Sequence, residues 1–362
     1  MDYKEILKEQ FHNVVDLDQI DEISKETYEL SEGLSESFSL EKILKSTLNG
    51  ESFFHNQELI SGIKDLALYE IRNAMILGVE ILIICVVIGL LKNLSASFGS
   101  KSMSDISMLV CTMVIIGISM NSFRIVYQLA LDSVSVMVST MEILTPILLG
   151  IMISTGAVTS GSILSPVIIG SVTGFGVILK KIILPALFVA TILGLINCLT
   201  EKDYVNKLGK LIRNASLIVT GLIIAVLTGI ITIQGLITET SDSLLMSAAK
   251  YSLSTFIPIV GGFTSDTIEL FLRCMGTIKN VVGVFAVITL VLIVLVPLIK
   301  ILIIALIYKL TAAVTEPVSE SKISDGLNEM GSCLISMASI MFFCALLFIM
   351  FVSIILRIGG NA

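Results

Sequence analysis

Long apolar runs divide most of this chain into membrane-length segments. Six stretches of 18 or more residues contain no Asp, Glu, Lys or Arg: 106–123, 143–179, 182–200, 214–238, 281–299 and 331–356. A transmembrane helix needs about 20 mostly apolar residues, and a soluble core of this size would not hold six such runs. The pattern therefore predicts an all-α fold, a polytopic integral membrane bundle that has lipid as its solvent.

Dividing these runs at charged residues gives about eight transmembrane helices, within a range of seven to nine. The expected spans are 73–91, 106–120, 133–153, 163–179, 182–199, 215–237, 281–308 and 333–356. Lys180 and Lys181 separate the fourth span from the fifth. We interpret them either as a tight turn at a membrane face or as the junction of two half-length, re-entrant helices.

The first 72 residues differ in character from the rest. They hold 16 of the 30 acidic residues and 7 of the 23 basic ones, a net charge of −9. Apolar residues recur at helical spacing over 3–30, which predicts one or two amphipathic helices. The chain thus divides into an acidic amphipathic segment, 1–72, and a multi-span membrane domain, 73–357.

The side of the membrane on which residues 1–72 lie is indicated by the charges around the first span. Glu58, Asp65 and Glu70 precede that span, whereas Lys92 and Lys101 follow it. Basic residues favour the cytoplasmic side, so we expect the N-terminal segment to be extracytoplasmic. Over the whole chain the basic residues divide almost evenly, eight against seven, which adds no further bias.

Composition and motifs argue against soluble-enzyme chemistry. Charged residues make up 15% of the chain, against about 25% in an ordinary soluble domain. GxxxxGK[ST], HExxH and GxSxG are missing. The two histidines, His12 and His55, stand alone in the acidic segment, and no His/Cys/carboxylate cluster has the spacing of metal ligands. We expect no enzyme activity, cofactor or metal site, and the acidic segment argues against nucleic acid as a partner.

Ionisable residues inside apolar spans are costly and mark candidate functional positions. Glu80, Glu142 and Lys300 are of this kind. One interpretation is an ion or substrate path, or a buried Glu–Lys pair between helices. The other is that Lys300 lies where a long span enters the interface, with Glu80 facing other helices or a partner subunit.

A run of small and polar residues forms a second candidate at 154–161. It contains Ser154, Thr155, Gly156, Thr159 and Ser160. Small residues let helix backbones approach closely, so helix packing is one explanation. The alternative is a broken segment that lines a cavity, because the run is too polar and glycine-rich for a lipid-facing helix.

A third candidate is the stretch 256–266, which is apolar but too short to span a membrane. Pro258, Gly261 and Gly262 predict a break in any helix, and Asp266 follows them. We expect a re-entrant hairpin or an interfacial loop here, with an ordinary loop as the alternative.

The same stretch carries a family resemblance. Phe256-Ile257-Pro258-Ile259-Val260-Gly261-Gly262, then Ser265-Asp266, then Lys279-Asn280-Val281-Val282-Gly283 entering a long span, resembles the stage III sporulation protein AE family. Further agreement is carried by Leu91-Lys92-Asn93-Leu94, by Asn121-Ser122-Phe123, by the 154–161 run followed by Pro166, and by Pro297 with the segment from Lys300 to Tyr308. The resemblance covers about residues 60–356.

The resemblance implies a membrane protein of endospore formation, placed in the mother-cell membrane around the forespore. It implies a non-enzymatic, permease-like or platform subunit of a channel complex required for endospore development and late forespore gene expression. The implied partners are the other stage III sporulation A proteins and, across the intermembrane space, stage II sporulation protein Q. Two alternatives stay open: a self-contained secondary transporter of a small solute, and a membrane scaffold for complex assembly.

Overall fold

The structure is a computed structural model that describes residues 17–30, 57–98, 101–199, 205–256, 261–317 and 321–358. Throughout these ranges the chain is helical, with turns between helices and no strand. The elements are α1 (Leu17–Leu30), α2 (Gln57–Phe98), α3 (Lys101–Ser154), α4 (Val158–Ile178), a π-helical segment (Leu179–Ile183), α5 (Leu184–Asn197), α6 (Asn206–Phe256), α7 (Gly261–Thr315) and α8 (Ser321–Arg357).

The predicted all-helical membrane bundle is confirmed. In the described ranges, six helical stretches are long and apolar enough to cross a membrane by length and composition. They are Leu68–Ile88, Leu109–Ser154, Val158–Asn197, Asn206–Gly235, Phe271–Thr315 and Lys322–Arg357. The prediction of about eight spans agrees roughly with this number, and the difference has a structural origin.

Two pairs of expected spans are continuous helices. The second and third lie together in α3, because residues 121–132 contain neither Gly nor Pro and the charges there do not interrupt a helix. The fourth and fifth are joined through the π-helical segment, which contains Lys180 and Lys181. The interpretation of these two lysines as a turn or a junction of half-helices is therefore wrong.

The antiparallel pair α7 and α8 forms the centre of the bundle. This pair makes the most extensive interhelical contact, and α3 packs against both of its members. Helix α2 lies against α3 and α7, while α6 packs on α4, α5 and α8. The buried interior is mainly apolar and includes Phe285, Phe348 and Phe351.

The described part of the acidic N-terminal segment lies against this bundle. Helix α1 packs on α3 and α7, with Ile20 3%, Ile23 0% and Thr27 2% exposed. The expected helical spacing of Ile20 and Ile23 thus places them on one buried face. Ser139 on α3 donates a hydrogen bond to Glu26 Oε2 at 3.1 Å. Of the stretch 3–30 predicted to form one or two amphipathic helices, residues 3–16 lie outside the described residues.

Candidate functional site

Lys300 forms an ion pair with Glu70, a carboxylate that precedes the first span expected from the sequence. Its Nζ lies 3.2 Å from Glu70 Oε1, and the two side chains are 20% and 12% exposed. Glu70 lies on α2 and Lys300 on α7, both within membrane-length stretches. The pair joins the two helices and leaves each charge with an opposite partner inside the chain.

A second ion pair lies where α5, α6 and α8 meet. Arg213 on α6 pairs with Glu329 on α8, and their side chains are 16% and 11% exposed. Nearby, Lys309 Nζ donates to Asn328 Oδ1 at 3.2 Å and to Ser332 Oγ at 3.1 Å. We call this region the polar end of the bundle. Its residues are Asn197, Cys198, Asn206, Lys210, Arg213, Lys309, Lys322, Asp325, Gly326, Asn328, Glu329 and Ser332.

The polar end encloses only a small cavity. The space is about 50 Å³ and accommodates a few water molecules rather than an organic solute. Burial, reinforced by the charge of Asp325, raises the pKa of the Cys198 thiol at its edge to about 11. In the described part of the chain, no group of three or more His, Cys, Asp or Glu is arranged to hold a metal ion. The arrangement is that of a structural network.

The small-residue run at 154–161 contains a tight turn between α3 and α4. Gly156 has φ 95°, a left-handed conformation that glycine adopts without strain. Its N–H donates to Ile153 O at 3.0 Å and the N–H of Ala157 donates to Met152 O at 3.3 Å, the hydrogen-bond pattern of a Schellman helix cap. The chain reverses here through a capped helical hairpin.

The other polar residues of that run satisfy local backbone groups or pack. Ser154 Oγ donates to Gly150 O at 3.0 Å, and Thr155 Oγ1 donates to Met152 O at 2.7 Å. Thr159 is half-buried and Ser160 is fully buried, both in the first turn of α4. At Gly161 any Cβ would collide with Ile153. Close helix packing accounts for these positions.

The stretch 256–266 is described only in part. Pro258 lies outside the described residues. Helix α6 ends at Phe256 and α7 begins at Gly261, so Gly261, Gly262 and Asp266 belong to the first two turns of α7. The re-entrant hairpin or loop expected between these two helices stays a prediction.

The two predicted carboxylates both lie on the bundle surface. Glu80 is exposed on α2, in a surface cleft that it lines together with Leu68, Arg72 and Ile76. Of the two surroundings expected for Glu80, other helices or a partner subunit, the first does not apply to this cleft, because its lining residues all belong to α2. A partner subunit at this position stays a prediction. Glu142 is exposed on α3 and accepts a hydrogen bond from Thr173 Oγ1 at 3.2 Å. Each points an ionisable group outward from a membrane-length helix.

Comparison with known proteins decides the family. The sequence model of stage III sporulation protein AE matches residues 38–359. The chain belongs to the stage III sporulation protein AE family. Stage III sporulation protein AE of Bacillus subtilis (strain 168) is 27% identical to it over 320 residues, which cover 88% of this chain and 79% of the Bacillus protein. No solved structure matches.

Membership of the stage III sporulation protein AE family confirms the resemblance seen in the sequence. The matched range contains all six membrane-length stretches of the described residues. The protein is thus a sporulation-related membrane component of the stage III sporulation A group, and the family is not a known enzyme family.

Proposed function

We propose that this protein is a non-enzymatic membrane subunit, permease-like or platform-forming, of the transenvelope channel between mother cell and forespore. In this role it supports endospore development and late forespore gene expression. It acts in the mother-cell membrane that surrounds the forespore. Its partners there are the other stage III sporulation A proteins and, across the intermembrane space, stage II sporulation protein Q.

The observation that carries this proposal is the coincidence of the family match with the whole membrane bundle. The match runs from residue 38 to residue 359, and the six membrane-length stretches lie between Leu68 and Arg357. The matched unit is therefore a body of packed helices rather than an appended soluble domain. A membrane subunit that works by packing against other chains fits such a unit.

The polar groups of the bundle interior support a non-catalytic role. Lys300 pairs with Glu70 and Arg213 pairs with Glu329, so these charges neutralise each other within the chain. Catalysis requires a nucleophile, base or metal held next to an open pocket. The described polar end has only about 50 Å³ of open space.

The proposal is tested by deleting the gene in the organism that encodes it and supplying a tagged copy in trans. We expect the deletion strain to grow normally, to complete engulfment, and then to lose late forespore reporter expression and heat-resistant spores. The tagged protein should co-purify with other stage III sporulation A proteins from sporulating cells. Normal spore yield in the deletion strain would contradict the proposal.

The same strains separate this function from that of a self-contained secondary transporter. A transporter acting alone would move its solute in liposomes that contain the purified chain only. It would also leave co-purification with other stage III sporulation A proteins undetectable. That pair of results would replace the proposed function.

A further inference from the structure

Helix α3 carries a continuous polar stripe on its outward face. At 100° per residue, the positions of 121–142 that fall within a sector of about 80° are all polar. They are Asn121, Arg124, Gln128, Asp132, Ser135, Ser139 and Glu142. We call these seven residues the α3 stripe. It runs about 30 Å along the helix, close to the thickness of a bilayer hydrocarbon core.

The α3 stripe points away from the apolar packing of the bundle. Five of its side chains are exposed, and Ser135 and Ser139 are half-buried. The opposite face of α3 is buried, with Phe123, Val134 and Met137 at 0% exposure. The stripe is therefore the surface that α3 presents outward.

A neighbouring helix contributes polar groups to the same surface. Lys180 Nζ donates to Ser135 Oγ at 3.3 Å, and Thr173 Oγ1 donates to Glu142 Oε1 at 3.2 Å. Within the stripe itself, Gln128 Nε2 donates to Asp132 Oδ1 at 2.9 Å. The polar surface thus extends from α3 onto α4 and the π-helical segment.

Packing contacts place the stripe at membrane depth. A Cβ added to Gly176 of α4 would lie 2.6 Å from Val138 of α3, the residue before Ser139 of the stripe. The adjacent Phe175 meets the ring of Phe348 on α8, with centroids 6.5 Å apart. Phe348 lies within the charge-free run 331–356. Charged side chains exposed to lipid at this depth are costly, so the stripe faces water or polar protein.

Helix α1 provides a second, independent sign of an aqueous surface. Six of its fourteen residues are charged, yet it reaches the stripe near its Glu142 end, where Ser139 donates to Glu26. The exposed Lys25 lies beside this contact. A helix of this composition is not stable in hydrocarbon. Its position requires water or polar protein beside α3.

We propose that the α3 stripe, with Lys180 and Thr173, forms one wall of a water-filled passage through the membrane, in which α1 is seated. The wall carries both signs of charge, Arg124 and Lys180 against Asp132 and Glu142, and suits hydrated small polar solutes or ions rather than lipid. This inference deepens the proposed function and rests on it for the purpose that the passage serves.

The test is the reactivity of single introduced cysteines toward a membrane-impermeant, cationic methanethiosulfonate. Gln128→Cys and Ser135→Cys probe the stripe, and Val226→Cys is the matched control. Val226 is 51% exposed on α6 and lies in the charge-free run 214–238. It is 17 residues beyond Gly209, which packs beside Ala190 of α5, and this places it at a membrane depth similar to that of the two stripe positions. Membranes from sporulating cells keep the protein with its natural partners. Peptide mass spectrometry measures the labelling of each cysteine separately, so the six native cysteines need not be replaced.

We expect both stripe cysteines to react at least roughly tenfold faster than Val226→Cys, because the reagent attacks a hydrated thiolate. Equal rates at all three positions would overturn the passage. Protection of the stripe together with cross-linking of its cysteines to another chain would also overturn it, in favour of a protein-filled interface. These labelling rates do not depend on spore yield, so a failed passage and a failed sporulation role are distinguished.

Discussion

The polar end and the α3 stripe both place charged side chains in membrane-length helices, but their partners lie in different places. At the polar end, Arg213 and Glu329 are mostly buried and neutralise each other across α6 and α8. On the α3 stripe, Arg124, Asp132 and Glu142 are exposed on the outside of the bundle. The first arrangement stabilises this chain, whereas the second is directed at its surroundings.

The largest expected effect comes from breaking the ion pair of the polar end. Glu329→Ala leaves Arg213 without its carboxylate and should reduce the free energy of unfolding by about 3 kcal/mol. Thermal unfolding in detergent, followed by size-exclusion chromatography, and the membrane level of the variant measure this loss. The double variant Arg213→Met/Glu329→Leu is the control, and it should recover most of the stability. A stable single variant would show that the pair is not structural.

The reactivity of Cys198 tests whether the polar end is as desolvated as its geometry indicates. Burial and Asp325 raise the pKa of this thiol from 9.0 to about 11. Below pH 9 the thiolate fraction, and so the alkylation rate, should be about a hundredfold lower than for an unperturbed thiol. The rate should keep rising with pH until about pH 11. Measuring the alkylation rate with a neutral maleimide or iodoacetamide between pH 7 and pH 11 checks this, with the denatured chain as reference.

Asp325→Asn sharpens that measurement. Removing the carboxylate charge should shift the midpoint of the pH profile of Cys198 to lower pH, because Asp325 is the second cause of the raised pKa after burial. An unchanged profile would mean that the charge of Asp325 does not act on the thiol. A midpoint near pH 9 in the wild-type chain would mean that water reaches the thiol freely.

Tight packing at the polar end predicts a smaller effect. A Cβ at position 326 would collide with Cys198 Sγ, so Gly326→Ala should destabilise the protein by about 2 kcal/mol. In a Cys198→Ala background the nearest atom is Cβ of residue 198, at 3.8 Å, and the same substitution should be tolerated. Comparing the thermal unfolding of the four chains isolates the contact. Equal losses in both backgrounds would refute it.

The smallest expected change in stability lies on the α3 stripe. Arg124→Ala removes an exposed charge and should alter the free energy of unfolding by less than about 0.5 kcal/mol. The thermal unfolding assay used for Glu329→Ala applies here unchanged. A loss as large as that of Glu329→Ala would remove the distinction between the two regions.

The sequence was sufficient to predict the bundle but not the pairing of its charges. Long apolar runs and helical spacing identify membrane helices directly, whereas Arg213 and Glu329 lie 116 positions apart, and no local pattern links them. Glu70 was assigned to a flank because it stands at the edge of an apolar run, although folding brings it to Lys300.

The α3 stripe did leave a signal in the sequence. Polar residues recur every three or four positions from Asn121 to Glu142, a helical spacing that the positions of charged residues alone do not reveal. For the same reason two expected spans form the single helix α3, because the charged residues between them do not end a helix. Reading the angular position of each polar residue, in addition to the length of apolar runs, would have revealed both features.

The π-helical segment Leu179–Ile183 changes the rotational phase of the side chains within the continuous helical stretch Val158–Asn197. A π turn holds about one residue more than an α turn, which rotates everything beyond it by about 100° relative to an uninterrupted helix. Before the π-helical segment, Thr173 on α4 faces α3. After it, Gly194 on α5 lies against Glu329 of α8. Deleting one residue from this segment would restore a regular α-helix and rotate α5 by about 100° relative to α4. Either the contact of α4 with α3 or the contact of α5 with α8 would then be lost.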